Sequence, residues 1–469
     1  MALQNTRKSA FEIARALEGK GRLFFIGIGG VHMASLAIFS QKRGFFVGGS
    51  DRAESEATAR LCRAGIEVRI GHDEAAIEGY DAVIYTLAID PENPEYRAAV
   101  ERGLPLFSRA DYLGYLMSLY PRRIGVAGSH GKSTVTAMLA EIFVEAGRDP
   151  VVFCGAPMRR FGGGLLAGEG GDFLFEACEY EDSFLSFSPT LAVILNLRHD
   201  HVDYFPDMQS FKKSFAAFGA LPGEQGTVLY PAGDADCLEA LSATPARRAT
   251  FGLCGGDFTV RQLRLERGRA VFTLVLCGVA AGEVRLRVPG EHNLLNALAA
   301  AGAAYLSGVE PRAIVRGLCE FGGAGRRMEY RGRLCGAPIY DDYAHHPDEI
   351  LATLTAARQM NGKGRLFAVF QSHTYSRTAA FLPEIGAALR LADRVLVAPI
   401  YPARETDTLG MSGERIAASV GERASAHGSI AEIARCLSQE VAPHDTVVVM
   451  GAGDIDRIFG EFSAKDFTL

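Results

Sequence analysis

A chain of 469 residues, 48% of them hydrophobic, has the length for about three domains and for the cores they need. Its formal charge of −6 argues against nucleic acid as a partner, no apolar run approaches the roughly 18 residues of a membrane span, and the polar residues 1–20 hold no signal-peptide core. Nine cysteines with no C-x-x-C pair read as reduced thiols, neither a disulfide framework nor a zinc site, so the expected compartment is the cytoplasm.

The first block opens with an apolar strand at residues 23–26, turns through Gly27-Ile28-Gly29-Gly30 and continues as a helix through Leu36, Ala37 and Phe39. Glycines at such a turn let the backbone approach a phosphate. The G-x-G-x-x-G pattern is incomplete, because His32 stands where the third glycine would be, and this argues against a nicotinamide dehydrogenase. Asp51 follows the glycines by about 20 positions, where such folds contact a ribose hydroxyl. A further strand at residues 82–86 ends in Thr86, and two or three parallel strands are expected.

The second block carries the most specific signal. An apolar strand at residues 124–127 runs into Gly128-Ser129-His130-Gly131-Lys132-Ser133, and Thr134 opens a helix expected to reach residue 146. Val126 stands where a strict Walker A loop has glycine, but a shorter G-[ST]-x-G-K-[ST] phosphate loop is satisfied. Backbone N–H groups and the helix N-terminus attract a polyphosphate, Lys132 is suited to its outer phosphates, and the Ser133 hydroxyl to Mg²⁺. Two more strands, at 173–177 and 191–195, lead into Glu176, Glu179, Glu181 and Asp182 and into Asn196 and Arg198-His199-Asp200-His201. Carboxylates and imidazoles after two strands, beside a phosphate loop, suggest a divalent metal site. Residues 258–276 alternate as a hairpin turning at Glu266-Arg267-Gly268.

The third block begins near Arg326, with strands at 339–342, 366–370, 395–398 and 447–450 and helices at 347–358 and 379–390. Its strand ends carry Asp341-Asp342-Tyr343-Ala344-His345-His346, His373-Thr374-Tyr375-Ser376-Arg377 and Tyr401-Pro402-Ala403-Arg404-Glu405. Polar groups gathered at the carboxyl ends of strands mark where α/β sheets place their chemistry.

Taken in order, these runs, together with Gly71-His72-Asp73, Asn93-Pro94-Glu95, His292-Asn293, Asn296-Ala297 and Arg326-Arg327, resemble the Mur ligase family over the whole chain. The Asp-Asp-Tyr-Ala-His-His-Pro and His-Thr-Tyr-Ser-Arg-Thr runs are similar to the branch that joins L-alanine to UDP-N-acetylmuramate. The resemblance implies an α/β fold in three domains: a Rossmann-like UDP-sugar domain (1–119), a central phosphate-loop domain (120–325) and a Rossmann-like third domain (326–469). It implies ATP-dependent amide formation through an acyl-phosphate, with ATP as co-substrate, Mg²⁺ as cofactor and no obligate protein partner.

By the same resemblance, Gly128, Ser129, His130, Gly131, Lys132, Ser133 and Thr134 hold the phosphates, and His292, Asn293 and Asn296 lie at the adenine. Arg327 or its neighbour Arg326 approaches the γ-phosphate, and Ser133, Glu176 and His201 are the metal ligands. Gly27, Gly29, Gly30, Asp51, His72 and Thr86 fall to the uridine diphosphate. Tyr343, His345, His346, His373 and Arg377 orient the amino acid and the acyl intermediate, Arg377 because a planar guanidinium binds two carboxylate oxygens at once. Lys132, Glu176, His201, Arg327, His346 and Arg377 form the implied catalytic set. Departures from the family pattern are Arg198-His199 before Asp200, Cys178 where Asp is common, Ser133 for Thr, and His32 for Gly. Lys212 and Lys213 lie in the region where some members carry a carbamylated lysine, and neither is assigned. The alternatives left open are a sister ligase using another amino acid or a peptide, and an inactive UDP-sugar or ATP-binding regulator.

Overall fold

The computed structural model describes residues 5–202, 204–360, 362–403 and 405–468; Arg404, counted above among the strand-end groups, lies outside them, as does the start of the polar N-terminal stretch. Three sheets follow one another along the chain. The first holds β1 (Arg22–Ile26), β2 (Phe46–Asp51), β3 (Glu67–Ile70), β4 (Ala82–Tyr85) and β5 (Leu106–Ser108), all parallel, in the order β3-β2-β1-β4-β5. The sequence reading expects two or three strands here. It misses β3, whose residues are mostly exposed, and β5, which is three residues long, because neither carries the apolar run that marks a buried parallel strand.

The second sheet has ten strands. Its parallel centre is β6 (Arg122–Ala127), β7 (Val151–Met158), β9 (Asp172–Glu176), β10 (Leu191–Ile194), β11 (Thr227–Pro231) and β12 (Arg247–Phe251). The strand β8 (Gly163–Ala167) closes one edge, and the antiparallel run β13 (Phe258–Glu266), β14 (Arg269–Leu276) and β15 (Val279–Pro289) the other. The expected hairpin is thus the first half of a three-stranded meander. The third sheet contains β16 (Glu329–Leu334), β17 (Ala337–Asp342), β18 (Leu366–Phe370), β19 (Arg394–Val397), β20 (Ala424–Ala426), β21 (Thr446–Met450) and β22 (Phe467–Thr468), in the order β20-β19-β18-β21-β17-β16-β22. Only β16 and β22 run antiparallel to their neighbours.

Helix starts are set by backbone chemistry more than by apolar pattern. The helix Lys132–Glu145 begins two residues before the expected position because Gly131, at φ 88°, turns the chain directly into it. A left-handed φ there is open to glycine at little cost. Tyr375–Leu389 likewise starts early: the Thr374 side chain caps it by accepting from the Arg377 N–H, and the helix tolerates Pro383 with a kink at Phe381.

Burial joins the first two sheets into one mass. Phe39, on the helix Val31–Lys42, packs its ring 5.4 Å from Phe153 of β7 and 6.4 Å from Phe173 of β9, and a single buried apolar cluster runs through both domains. The third sheet keeps separate clusters on its two faces. Polar contacts therefore carry most of its attachment to the phosphate loop, and that seam holds the candidate site.

Close helix packing in the central domain depends on one glycine. In Pro311–Glu320, a Cβ on Gly317 would lie 2.5 Å from the Ile142 Cα on the facing helix, and backbone does not yield as a side-chain end does. Gly317→Ala gains about 1 kcal/mol of helix propensity but incurs about 1–3 kcal/mol of overpacking. Because the clashing atom is backbone, the upper part of that range applies, a net cost of about 1–2 kcal/mol, and the expected outcome is a thermal midpoint lowered by roughly 2–8 °C, while Gly21→Ala, with open space around the new methyl group, leaves it within about 1 °C. Equal midpoints for the two variants would contradict the packing argument.

Candidate active site

The phosphate loop is fixed from both sides. Gly128 has φ 138°, and a Cβ there would lie 3.0 Å from the Leu195 side chain; on Gly131 it would lie 2.5 Å from Asn296 Oδ1. The segment after β10 grips the loop through paired bonds: His130 N–H donates to Asn196 Oδ1 at 3.0 Å, Asn196 Nδ2 donates to the His130 carbonyl at 3.1 Å, and the Ser129 hydroxyl donates to the Arg198 carbonyl at 2.7 Å. The loop is thus shaped before any ligand arrives.

Lys132 curls over this loop. Its ammonium donates to the Gly128 carbonyl at 2.6 Å and to both oxygens of Glu179 at 3.0 Å. Burial alone would lower its pKa; Glu179, then Cys178 and Glu176, more than reverse this and hold it charged. Glu176, at the end of β9, accepts from the Ser133 hydroxyl at 2.9 Å and from the Gly155 N–H at 2.7 Å. His201 adopts φ 53° and places Nε2 3.7 Å from Glu179 Oε1. Of the three expected metal ligands, Ser133 and Glu176 are in direct contact, and His201 reaches the same cluster through Glu179. Lys212 lies in ion pairs with Asp236 and Glu239, both at 2.7 Å, and these raise its pKa. A charged ammonium does not take up carbon dioxide, so this geometry opposes carbamylation at Lys212.

A cavity of about 470 Å³ opens beside the loop, lined by His130, Gly131 and Thr134, by His292, Asn293 and Asn296, and by Arg327, Asp348 and Glu349 from the third domain. Asn293 Nδ2 donates to the Pro289 carbonyl at 2.7 Å, and its Oδ1 accepts from Asn296 Nδ2 at 3.2 Å. Arg327 lies over Tyr343 at 5.2 Å, and its Nη1 is 3.8 Å from Glu349 Oε1. Arg326 is used otherwise: it donates to the carbonyls of Gly451 at 2.7 Å and Gly453 at 3.3 Å and pairs with buried Asp341. Its guanidinium therefore ties down the end of β21, and of the two arginines Arg327 is the one that lines the cavity. A larger depression of about 760 Å³ near Arg148, Tyr305 and Arg312 gathers no comparable set of groups.

Two further contacts join the domains. Glu349 accepts from His130 Nδ1 at 3.1 Å and from the backbone N–H groups of His345 and His346 at 3.2 and 3.4 Å. Burial alone would raise this carboxyl, but His345, His130 and Arg327 hold it well below the usual range. Arg377 donates through Nε at 3.2 Å and Nη2 at 2.8 Å to Asp200 Oδ1, with both residues buried, and through Nη1 to His373 Nδ1 at 3.4 Å. Asp200 is also lowered despite its burial, by Arg377, His201 and His345. The rings of His345 and His373 are 6.0 Å apart, and His345 Nδ1 lies 2.9 Å from the Tyr343 carbonyl.

In the first domain Asp51 Oδ2 accepts from the Gly29 N–H at 2.8 Å, and a Cβ on Gly27 would lie 2.7 Å from the Thr86 methyl group. His72 Nδ1 lies 2.9 Å from Glu95 Oε2 and 3.1 Å from the Ser50 hydroxyl. Gly30 caps the helix Val31–Lys42 without a side-chain bond. His32 is pushed down to about 4 by burial and then by Arg109, and it senses Glu176 of the central domain. Arg109 senses Cys178 and Glu176 in turn.

Glu349 and Arg109 were not named by sequence reasoning, and Glu179, Asp200 and Asn196 were named only within the strand-end runs beside the suggested metal site, with no role of their own. Glu179 and Asp200 stand inside motifs already noted. Glu349 had a fainter signal, as an acidic residue in the first turn of a helix that follows two histidines.

The buried imidazoles give this region a definite acid response. His292, His345 and His373 are each held down to about 4 from an ordinary 6.5, chiefly by burial, so between those values the unfolded chain binds more protons than the folded one. Stability is then fully present above pH 6.5 and lost as pH falls toward 4, and Asp200 and Glu349, also lowered, extend the loss below. The thermal midpoint is expected to drop steeply between pH 6.5 and 4.5; a flat profile there would contradict these burials.

Comparison with known proteins bears on the whole chain. Residues 22–121 match the Mur ligase family catalytic domain, 126–304 the Mur ligase middle domain, and 326–453 the Mur ligase glutamate ligase domain. The UDP-N-acetylmuramate–L-alanine ligase of Agathobacter rectalis is 40% identical over 443 residues, covering 93% of this chain and 96% of that protein. The enzyme of the same name from Acetivibrio thermocellus is 39% identical over 94% of this chain and 95% of its own length. Among solved structures, the UDP-N-acetylmuramate–alanine ligase of Thermotoga maritima superposes with a TM-score of 0.80 at 28% identity, covering 94% of this chain and 98% of that one. With three successive domain matches and relatives of this identity along nearly its full length, the chain belongs to the Mur ligase family.

Proposed function

We propose that this protein joins L-alanine to the lactyl carboxylate of UDP-N-acetylmuramate in a reaction that converts ATP to ADP and phosphate, acting in the cytoplasm without an obligate protein partner. The observation that carries the reading is the convergence of Lys132, Glu176 and Arg327 from two domains on one phosphate loop, beside a cavity sized for a nucleoside. The names of the relatives in Agathobacter, Acetivibrio and Thermotoga support the choice of substrates. We take the domain limits as 1–119, 120–325 and 326–469, since residues 119–121 separate the helix Arg109–Ser118 from β6, and Arg326 opens the third unit.

A carboxylate is a poor electrophile. Its oxygen first attacks the γ-phosphorus of ATP, ADP leaves, and an acyl-phosphate forms; the amine of L-alanine then attacks the acyl carbon, phosphate leaves, and the nitrogen loses a proton. The first step brings anions together, and Lys132 and Arg327 are suited to neutralising them. Ser133, Glu176 and His201 would hold Mg²⁺, since the contact of Ser133 with Glu176 and the nearness of His201 give oxygen donors and one imidazole. When bound, Mg²⁺ supplies charge neutralisation at the phosphate oxygens. Arg377 is suited to the alanine carboxylate, which must compete with Asp200 for it. His345, with Nδ1–H donated to the Tyr343 carbonyl, keeps a lone pair on Nε2 at neutral pH and is suited to accept a hydrogen bond that orients the amine; held down to about 4, it is too weak a base to retain the proton, which passes to water.

The reading is tested by phosphate release from ATP with Mg²⁺ and UDP-N-acetylmuramate, with and without L-alanine, glycine, L-serine or a tripeptide. Release is expected to depend on UDP-N-acetylmuramate and L-alanine together, and Lys132→Ala to slow it by about 100-fold or more. Binding without release under every condition would instead support an inactive regulator. Arg377→Lys is expected to raise the KM for L-alanine by at least about tenfold while leaving the KM for ATP within about threefold, because an ammonium lacks the two-oxygen fork. An unchanged alanine KM would remove Arg377 from amino-acid binding.

A further inference from the structure

Among the described residues, one set of three potential metal ligands lies close together outside the cluster around Lys132: His130 on the phosphate loop, and His346 and Asp348 at the start of the helix Pro347–Met360. One ligand atom from each lies within 4.8 Å of the others, and the two imidazole rings are 4.8 Å apart. Asp348 Oδ2 is 4.0 Å from His130 Nε2 and 3.8 Å from His346 Nδ1. Nε2 of His130 and Nε2 of His346 are both buried and have no hydrogen-bond partner, and His346 is only 5% exposed. A buried polar nitrogen left unpaired is costly. His346 Nδ1 accepts from the Asp348 N–H at 3.3 Å and its ring packs 5.0 Å from Phe381, so the two Nε2 atoms, on residues from two domains whose rings meet, are the ring nitrogens left without a partner.

We propose that His130, His346 and Asp348 form a second metal site, for a borderline divalent ion of the Zn²⁺ class, at the seam between the phosphate loop and the third domain. Two imidazoles and one carboxylate, with a fourth position open to water, match the preference of such ions and not the oxygen cage that Mg²⁺ favours. The surroundings resemble those of a metal-binding histidine. His130 donates its Nδ1–H to the anionic carboxylate of Glu349, which leaves the lone pair on Nε2 and orients the ring, as second-sphere carboxylates do for metal ligands. Ligand atoms around such an ion are about 2.0–2.2 Å from it, so the set must contract by roughly an ångström. Asp348, whose side chain is about half exposed, is free to swing inward, giving up a 4.0 Å approach to Arg198.

Since His130 and Asp348 both line the cavity, an ion held there fastens the third domain onto the loop and occupies space that a nucleotide needs. That consequence rests on the ATP reading above, whereas the binding itself does not. It is tested with tag-free, metal-stripped, full-length protein titrated with Co²⁺, followed by visible absorption, and with Zn²⁺, followed by calorimetry, with no substrate present. One equivalent per chain with a four-coordinate Co²⁺ spectrum is expected. His130→Gln and Asp348→Asn are expected to abolish it, Glu349→Gln to weaken it by roughly 10–100-fold, and His201→Ala to leave it intact. A single cooperative thermal transition in each apo-protein shows that the variants are folded. Added ATP without Mg²⁺ is expected to weaken Zn²⁺ binding in the parent protein. Absence of a stoichiometric site, or a site that survives His130→Gln and disappears with His201→Ala, overturns the proposal. Zn²⁺ binding that persists undiminished under saturating ATP retains the site and overturns the competition.

Discussion

A lysine ammonium withdrawn from water must meet a negative charge, and the arrangement around the phosphate loop follows from how Lys132 does so. Its side chain is 14% exposed, and Glu179, at 1%, faces it with both oxygens. Removing one partner of such a pair would leave the other buried and uncompensated, at a cost of about 3–5 kcal/mol. The strands β6 and β9 pair in register, and this places the segments that follow them, the loop and the Glu176 to Glu179 stretch, side by side. Sheet topology thereby decides which carboxylates meet Lys132.

The third domain is attached by the same kind of contact. Its sheet keeps its own apolar clusters, so its position against the loop depends on Glu349 with His130, and on Asp200 with Arg377. Such contacts differ from the Phe39 packing that unites the first two domains. Apolar packing is non-directional and grows with buried area, whereas these few charged pairs have defined geometry and are exchangeable for charges on a ligand. A hinge is therefore more readily placed near Arg326 than between the first two domains, in line with the general expectation that polar interdomain interfaces permit motion.

Local chemistry was the part of this molecule legible in its sequence. The phosphate loop declared itself because its glycines, lysine and serine have to be contiguous to wrap a phosphate. The strands at 191–195 and 366–370 declared themselves because a parallel strand buried on both faces is a continuous apolar run. What stayed hidden was pairing across distance. Asp200 and Arg377 are 177 positions apart, and His130 and Glu349 are 219 apart; no spacing rule connects them. The choice between Arg326 and Arg327 was illegible for a related reason. It depends on which guanidinium the turn at Arg326, with φ 53°, directs toward the carbonyls of Gly451 and Gly453. The strands β3 and β5 escaped notice because they are short and lie at the two margins of the sheet, β3 with charged, exposed residues and β5 with only three residues, while the centre supplies the signal.

Each cation assigned to a substrate anion in the proposed reaction already has a protein carboxylate beside it: Glu179 at Lys132, Glu349 at Arg327 and Asp200 at Arg377. Substrate binding is then an exchange of one anion for another, with the displaced carboxylate finding a new partner, and not the filling of a bare charge. At an effective dielectric of about 20, a pair 4 Å apart is worth about 4 kcal/mol, so the net gain on exchange is a difference between similar terms. Such a site holds its cations aligned and charged before substrate arrives, which lowers the reorganisation required during reaction. It also keeps ground-state binding weak compared with what bare cations would give. For phosphoryl transfer this favours rate over affinity, because the charge that develops among several phosphate oxygens can draw on both Lys132 and Arg327, while ground-state binding gains only the difference between one anion and another.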